Sequence, residues 1–96
     1  MQYAAFIDSL TGDACPGELD PCLQALWLEA HGDWDAAHRI VQAINSVMAA
    51  RIHAYLHRRE GEDWNARYWH RQAGTRFPSG VGLQEEWDML VRELTD

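Results

Sequence analysis

One segment of this chain occurs twice, and the duplication limits what the chain can fold into. Asp33-Trp34-Asp35-Ala36-Ala37-His38 is followed by Gln42-Ala43, and thirty residues later Asp63-Trp64-Asn65-Ala66-Arg67-Tyr68 is followed by Gln72-Ala73. Five of the eleven aligned positions are identical, where chance gives roughly one. Gly32 directly precedes the first copy, and Gly61 stands two residues before the second. A repeat of this length is one supersecondary unit that cannot bury its apolar face alone and must stack on its neighbour.

Hydrophobic spacing makes the unit helical. Residues 2–10 place Tyr3, Phe6, Ile7 and Leu10 on one side of a short helix. Thr11 to Glu18 reads as a loop, with Gly12, Pro16 and Gly17. Asp20-Pro21 opens a second helix, with an aspartate cap and a proline at the first helical position. Its stripe is Leu23, Leu26, Trp27 and Ala30, and Gly32 ends it. Asp33 caps the next helix, whose inner face is Trp34, Ala37, His38, Val41 and Ile44. Asn45-Ser46 offers a break and a new cap, after which Met48, Ile52, Tyr55 and Leu56 continue to Gly61. Asp63 is expected to cap a fifth helix, closed by Gly74. After a loop over 75–82, Leu83, Trp87, Leu90, Val91 and Leu94 line one side of a last helix.

The expected fold is therefore all-α, with five or six short helices in a single domain spanning 1–96. Two helical hairpins, 20–44 and 46–74, stack on each other, and the terminal helices cover their ends. The shared Asp is read as a cap, and the shared Trp begins the second helix of each hairpin. The shared Ala lets the paired helices approach closely.

The layout resembles tetratricopeptide and Sel1-like helical hairpins in plan, with a shorter period and without the tetratricopeptide glycine and tyrosine in the first helix. The pattern Gly32-Asp33-Trp34-Asp35-Ala36-Ala37-His38, then His53-Ala54-Tyr55-Leu56-His57-Arg58-Arg59-Glu60-Gly61, then Asn65-Ala66-Arg67-Tyr68-Trp69, looks like a family of small uncharacterised bacterial helical proteins. That resemblance spans roughly residues 20–90 and implies a fold, with no established activity attached.

Composition narrows the function classes. The net charge is −7, which argues against general nucleic-acid binding. The charge is uneven. Residues 1–48 hold seven acids and one base, Arg39, while residues 51–76 hold six arginines, three acids and three histidines. The chain has no lysine, a bias that a GC-rich genome also produces. Cys15 and Cys22 match no common zinc spacing and read as free thiols. The first residues lack the basic and apolar segments of a signal peptide, and no run reaches the length of a membrane span. A cytoplasmic protein without membrane partners is the expectation.

Three groups of residues could carry chemistry. His53 and His57, at i and i+4, share one helix face and form a natural pair of metal ligands, with Glu60 or His38 completing the set. Ala54 stands where the His-Glu-x-x-His signature needs its glutamate. His38 and its repeat partner Tyr68 are both polar-tipped aromatics and suggest a shared inter-helix hydrogen bond, His38 as a core histidine donating to a carbonyl. Arg58, Arg59, Arg67 and Arg71 mix with Tyr55, Trp64, Tyr68 and Trp69, as anion holding or ring stacking requires. Glu60, Glu62 and Asp63 could neutralise that patch through local pairs such as Arg59–Asp63 or Arg67–Asp63.

No phosphate-binding glycine loop and no nucleophile elbow is found; Gly80-Val81-Gly82 reads as a hinge. The leading expectation is thus a non-enzymatic helical-repeat interaction module without a cofactor. It would bind a protein or peptide partner, or a second copy of itself, through Tyr55, Arg58, Trp64, Arg67, Tyr68, Arg71 and His38. The alternatives are a histidine-based metal site at His53, His57 and Glu60, which could be hydrolytic, and a small-anion site on the arginines.

Overall fold

The helix boundaries follow from local chemistry. In the computed structural model, which describes Met1–Asp96, the elements are α1 (Tyr3–Ser9), α2 (Pro21–Ala30), α3 (Trp34–Gln42), α4 (Val47–Arg59), α5 (Asp63–Ala73) and α6 (Leu83–Leu94). Each of α2, α3 and α4 starts at a side chain that accepts an otherwise unpaired N–H. Asp20 accepts from Cys22 at 2.9 Å, Asp33 from Ala36 at 3.1 Å, and Ser46 from Ala49 at 3.1 Å. Gly74 closes α5 at φ 73°, the left-handed conformation that glycine adopts without a Cβ penalty.

Helices α2 and α3 form one hairpin, α4 and α5 the other, and α4 packs against α2, α3, α5 and α6. Helix α6 touches both α2 and α4, so it lies across the two hairpins rather than at an end. Its Trp87 donates Nε1–H to the Leu26 carbonyl at 3.1 Å and packs on Phe6 of α1. The Tyr3 hydroxyl, bonded to the Asp88 carboxylate, fastens α1 to α6 a second time. The core is Phe6, Leu23, Leu26, Ile52, Leu56, Leu90 and Val91, with the ring of Tyr55 among them. The stripe expected on α2 is rotated slightly. Ala30 is exposed, and Cys22, Ala25 and Glu29 are buried beside Leu23 and Leu26.

The two hairpins match each other, but one residue away from where the sequence aligns them. Gly32 and Gly61 have φ of 83° and 75°. The next residues are Asp33 (φ −99°, ψ 70°) and Glu62 (φ −100°, ψ 66°), and each donates its N–H 2.9 Å back to the preceding helix, to Leu28 and His57. The buried positions of α3, Ala37 and Val41, pair with Ala66 and His70 of α5. The structural offset is therefore twenty-nine residues, not thirty. Glu62, not Asp63, is the N-cap of α5, and no side chain caps it. One residue is about 100° around a helix, so the shared tryptophans part company. Trp34 is half-buried and donates Nε1–H to the Leu56 carbonyl at 2.7 Å, whereas Trp64 is 71 % exposed. The close-approach alanines are Ala37 and Ala66, both fully buried, rather than the sequence-aligned Ala36 and Ala66.

This register is open to test by overpacking. Ala37→Leu and Ala66→Leu should each destabilise the protein by about 1–3 kcal/mol. Arg67→Ala, at the position the sequence aligns with Ala37, should cost under about 1 kcal/mol. Urea unfolding of the three variants reads the difference, and equal losses at Ala37 and Arg67 would refute the twenty-nine-residue offset.

Candidate metal centre

His53 and His57 are buried because α4 is enclosed by its neighbours; their exposures are 5 % and 7 %. Their i, i+4 spacing puts the rings side by side, 5.0 Å between centroids and 23° from parallel. The third member comes from α3. His38 stands edge-on to both, 4.5 Å from the His53 ring and 5.4 Å from the His57 ring. One ring nitrogen of each lies within 4.8 Å of the others. Glu60 is exposed on the turn after α4 and takes no part in this group. The expected pair at His53 and His57 is thus completed by His38 and not by Glu60.

Each imidazole is held by a neighbour. The Trp34 indole stacks on His38 at 4.8 Å and meets the His57 ring edge at 5.7 Å. Its hydrogen bond to the Leu56 carbonyl fixes that indole, so α4 itself orients the plate that supports His38. The Trp69 ring stacks on His53 at 3.9 Å, 15° from parallel. His57 Nδ1 lies 3.0 Å from Glu62 Oε1, with the Asn65 carboxamide 3.3 Å away. A carboxylate only accepts, so Nδ1 carries a proton, which leaves Nε2 as the nitrogen available to a ligand. A carboxylate behind a histidine is how metal-binding imidazoles are commonly oriented and made more basic.

His38 and His53 make no side-chain hydrogen bond, and neither does Tyr68, so the shared inter-helix bond expected of His38 and Tyr68 does not form. Burial, reinforced by the neighbouring imidazoles of His38 and His57, pushes His53 down to about 4. Burial also lowers His38, with His57 adding to the effect and Asp35 opposing it. Both rings are therefore neutral at physiological pH, the form in which imidazole donates to a metal.

The cluster faces a shallow, open slot of about 530 Å³. Its other walls are Trp64, Tyr68 and Trp69, with the carboxamides of Gln42 and Asn65. The one-residue register shift is what brings Trp64 and Tyr68 to this rim, 71 % and 43 % exposed.

The remaining expected surface residues divide. Tyr55 is 1 % exposed and its hydroxyl donates to Glu29 at 3.3 Å, so it is a core residue and not part of a binding face. Arg58 is committed inward, to Glu86 at 2.5 Å and the Val81 carbonyl at 2.6 Å. Arg59 pairs with Glu29 at 3.0 Å. The local Arg59–Asp63 and Arg67–Asp63 pairs do not form. Arg67 lies over the Phe77 ring at 4.0 Å, and Arg67 and Arg71 line a second recess with His70, Thr75 and Phe77. Arginines and rim aromatics thus occupy different faces of α5. Glu62 and Trp69 contact the histidine cluster, though the sequence offered Glu62 only as an acid beside the arginines and Trp69 only as a ring among them. Glu62 lies five residues past His57 across the Gly61 turn, a separation that helical periodicity does not score.

Comparison with protein-family models, curated proteins and solved structures finds no match to this chain.

His70 shows what an uncompensated imidazole does in this fold. It is 4 % exposed; Nδ1 meets Thr75 Oγ1 at 2.8 Å, and Nε2 is buried without a partner. Burial, then the guanidinium groups of Arg51 and Arg58, hold it below the ordinary histidine value. The unfolded chain therefore takes the proton first. The stability His70 supports is present above about pH 6.5 and is lost as pH falls toward the depressed native value. Wild type should lose more stability than His70→Gln between pH 7 and pH 5 in urea unfolding. Parallel losses would show that His70 titrates alike in both states.

Proposed function

We propose that this protein binds a divalent transition metal ion through His38, His53 and His57. One observation carries the reading: three imidazole nitrogens converge within 4.8 Å, on rings fixed by stacking or by a carboxylate. Two of these rings spend no nitrogen on the protein, and both line the open depression, where a ligand can reach them. Three nitrogens bound at about 2.1 Å stand about 3.4 Å apart in a tetrahedral set. Small rotations of the rings span that difference. An all-imidazole set suits zinc, copper, nickel or ferrous iron and gives magnesium and calcium nothing they prefer. Three protein ligands beside an open slot is the arrangement that leaves one coordination position for a water or a small molecule.

A partner-binding reading is the second choice. It draws on the 71 % exposure of Trp64 beside Tyr68, since large exposed aromatics dominate binding surfaces. It loses Tyr55 and Arg58, which are engaged inside the fold.

Tag-free protein should take up one zinc ion, by calorimetry and by metal analysis after gel filtration. At a hundredfold excess over the dissociation constant the ion should add about 2.7 kcal/mol to stability. His38→Ala, His53→Ala and His57→Ala should each abolish that gain. Glu62→Gln should weaken uptake about 10- to 100-fold, and Glu60→Ala should leave it unchanged. Failure of the wild type to retain any ion, with a melting temperature indifferent to zinc, would overturn the proposal.

A further inference from the structure

The slot in front of the histidines has a composition that selects what can fill the fourth position. Beyond the three imidazoles it is made of three aromatic rings and two carboxamides, with no charged side chain in its wall. Asp35 stands close enough to act on His38; the other nearby charges are occupied or turned away. Glu62 is engaged by His57, Arg58 by Glu86 and Val81, and Arg67 lies over Phe77 in the recess on another face of α5.

A divalent ion held by three neutral imidazoles keeps both positive charges, so the site attracts an anionic oxygen donor. No arginine or lysine stands in the wall, so donor oxygens that are not on the ion meet no cation. A phosphate's oxygens away from the ion would find only two carboxamides, where a guanidinium or ammonium group usually holds them. The rest of the wall prefers a flat apolar body. Trp69 is already packed against His53, with Tyr68 edge-on to it at 5.1 Å. Trp64 and the open side of Tyr68 are the rings left free to cover an incoming molecule. The slot, about 530 Å³, is wide and open, so it covers one face of a ring and leaves the other to solvent.

We infer that the fourth position takes a small aromatic monocarboxylate, its oxygen on the ion and its ring against Trp64 and Tyr68. This rests on the metal reading. The same chemistry occurs in a free aromatic acid and in a chain end that terminates in an aromatic residue.

Cobalt-loaded protein separates these outcomes, because the visible absorption of cobalt responds to its fourth ligand. Titrated with benzoate, acetate and inorganic phosphate, it should bind benzoate about tenfold more tightly than acetate, and phosphate no better than acetate. The double variant Trp64→Ala, Tyr68→Ala should take up cobalt normally and lose the preference for benzoate. A tripeptide ending in phenylalanine, free or amidated at its C-terminus, distinguishes the two sources. Free tripeptide binding tighter than benzoate assigns the site to a chain end, and the reverse assigns it to a free acid. Cobalt uptake with equal affinity for benzoate and acetate, or with phosphate preferred, overturns this inference and leaves the metal site standing. No cobalt uptake overturns both.

Discussion

Everything in this protein is arranged around the enclosure of α4. Four other helices pack against it, and seven of its thirteen residues are buried. A helix buried on several sides cannot keep its polar residues in water, so each must be matched by something brought from elsewhere in the chain. Tyr55 meets Glu29 of α2, Arg58 meets Glu86 of α6, and Arg59 at the end of α4 also reaches Glu29. The two carboxylates are themselves buried, which pushes them up, while the guanidinium groups oppose the shift. Breaking either pair from one side would strand a buried charge, the costly direction for such pairs. His53 and His57 are the exception on this helix. Stacking encloses them, and only His57 receives a hydrogen-bonding partner.

The helix order and most boundaries were legible in the sequence because they are set locally. Asp20-Pro21, Asp33, Ser46 and Gly74 act within a turn of where they stand, and the periodic stripe of α6 is buried as its spacing implies. The pairing of His53 with His57 was equally local. What spacing did not convey was the set of long-range partners. The metal alternative set Glu60 in the third place, with His38 as the other candidate, and the hairpin geometry puts His38 there. Arg58 and Arg59 had nearer acids in the chain than Glu86 and Glu29, but α4 directs them toward α6 and α2.

The repeat itself misled by one residue. Sequence identity aligns Asp33 with Asp63, while backbone geometry aligns Asp33 with Glu62. The extra residue after Gly61 turns the second copy of the motif about its own axis. The first copy points its tryptophan inward as a support for His38, and the second presents its tryptophan to the slot. A duplicated unit thus supplies two different parts of one side-chain cluster, and Glu62, the added residue, is the one that meets His57.

The stacking of Trp34 and Trp69 on imidazoles has an optical consequence. An excited indole transfers charge readily to a cationic or metal-coordinated imidazole at van der Waals distance, and poorly to a neutral one. Two of the five tryptophans are therefore coupled to the electronic state of the histidine cluster, while Trp87, bonded to a backbone carbonyl in the core, is not. A third, Trp27, stacks on His31 at 3.7 Å outside the cluster, so the intrinsic emission follows that imidazole too, and Trp87 is the contribution indifferent to both.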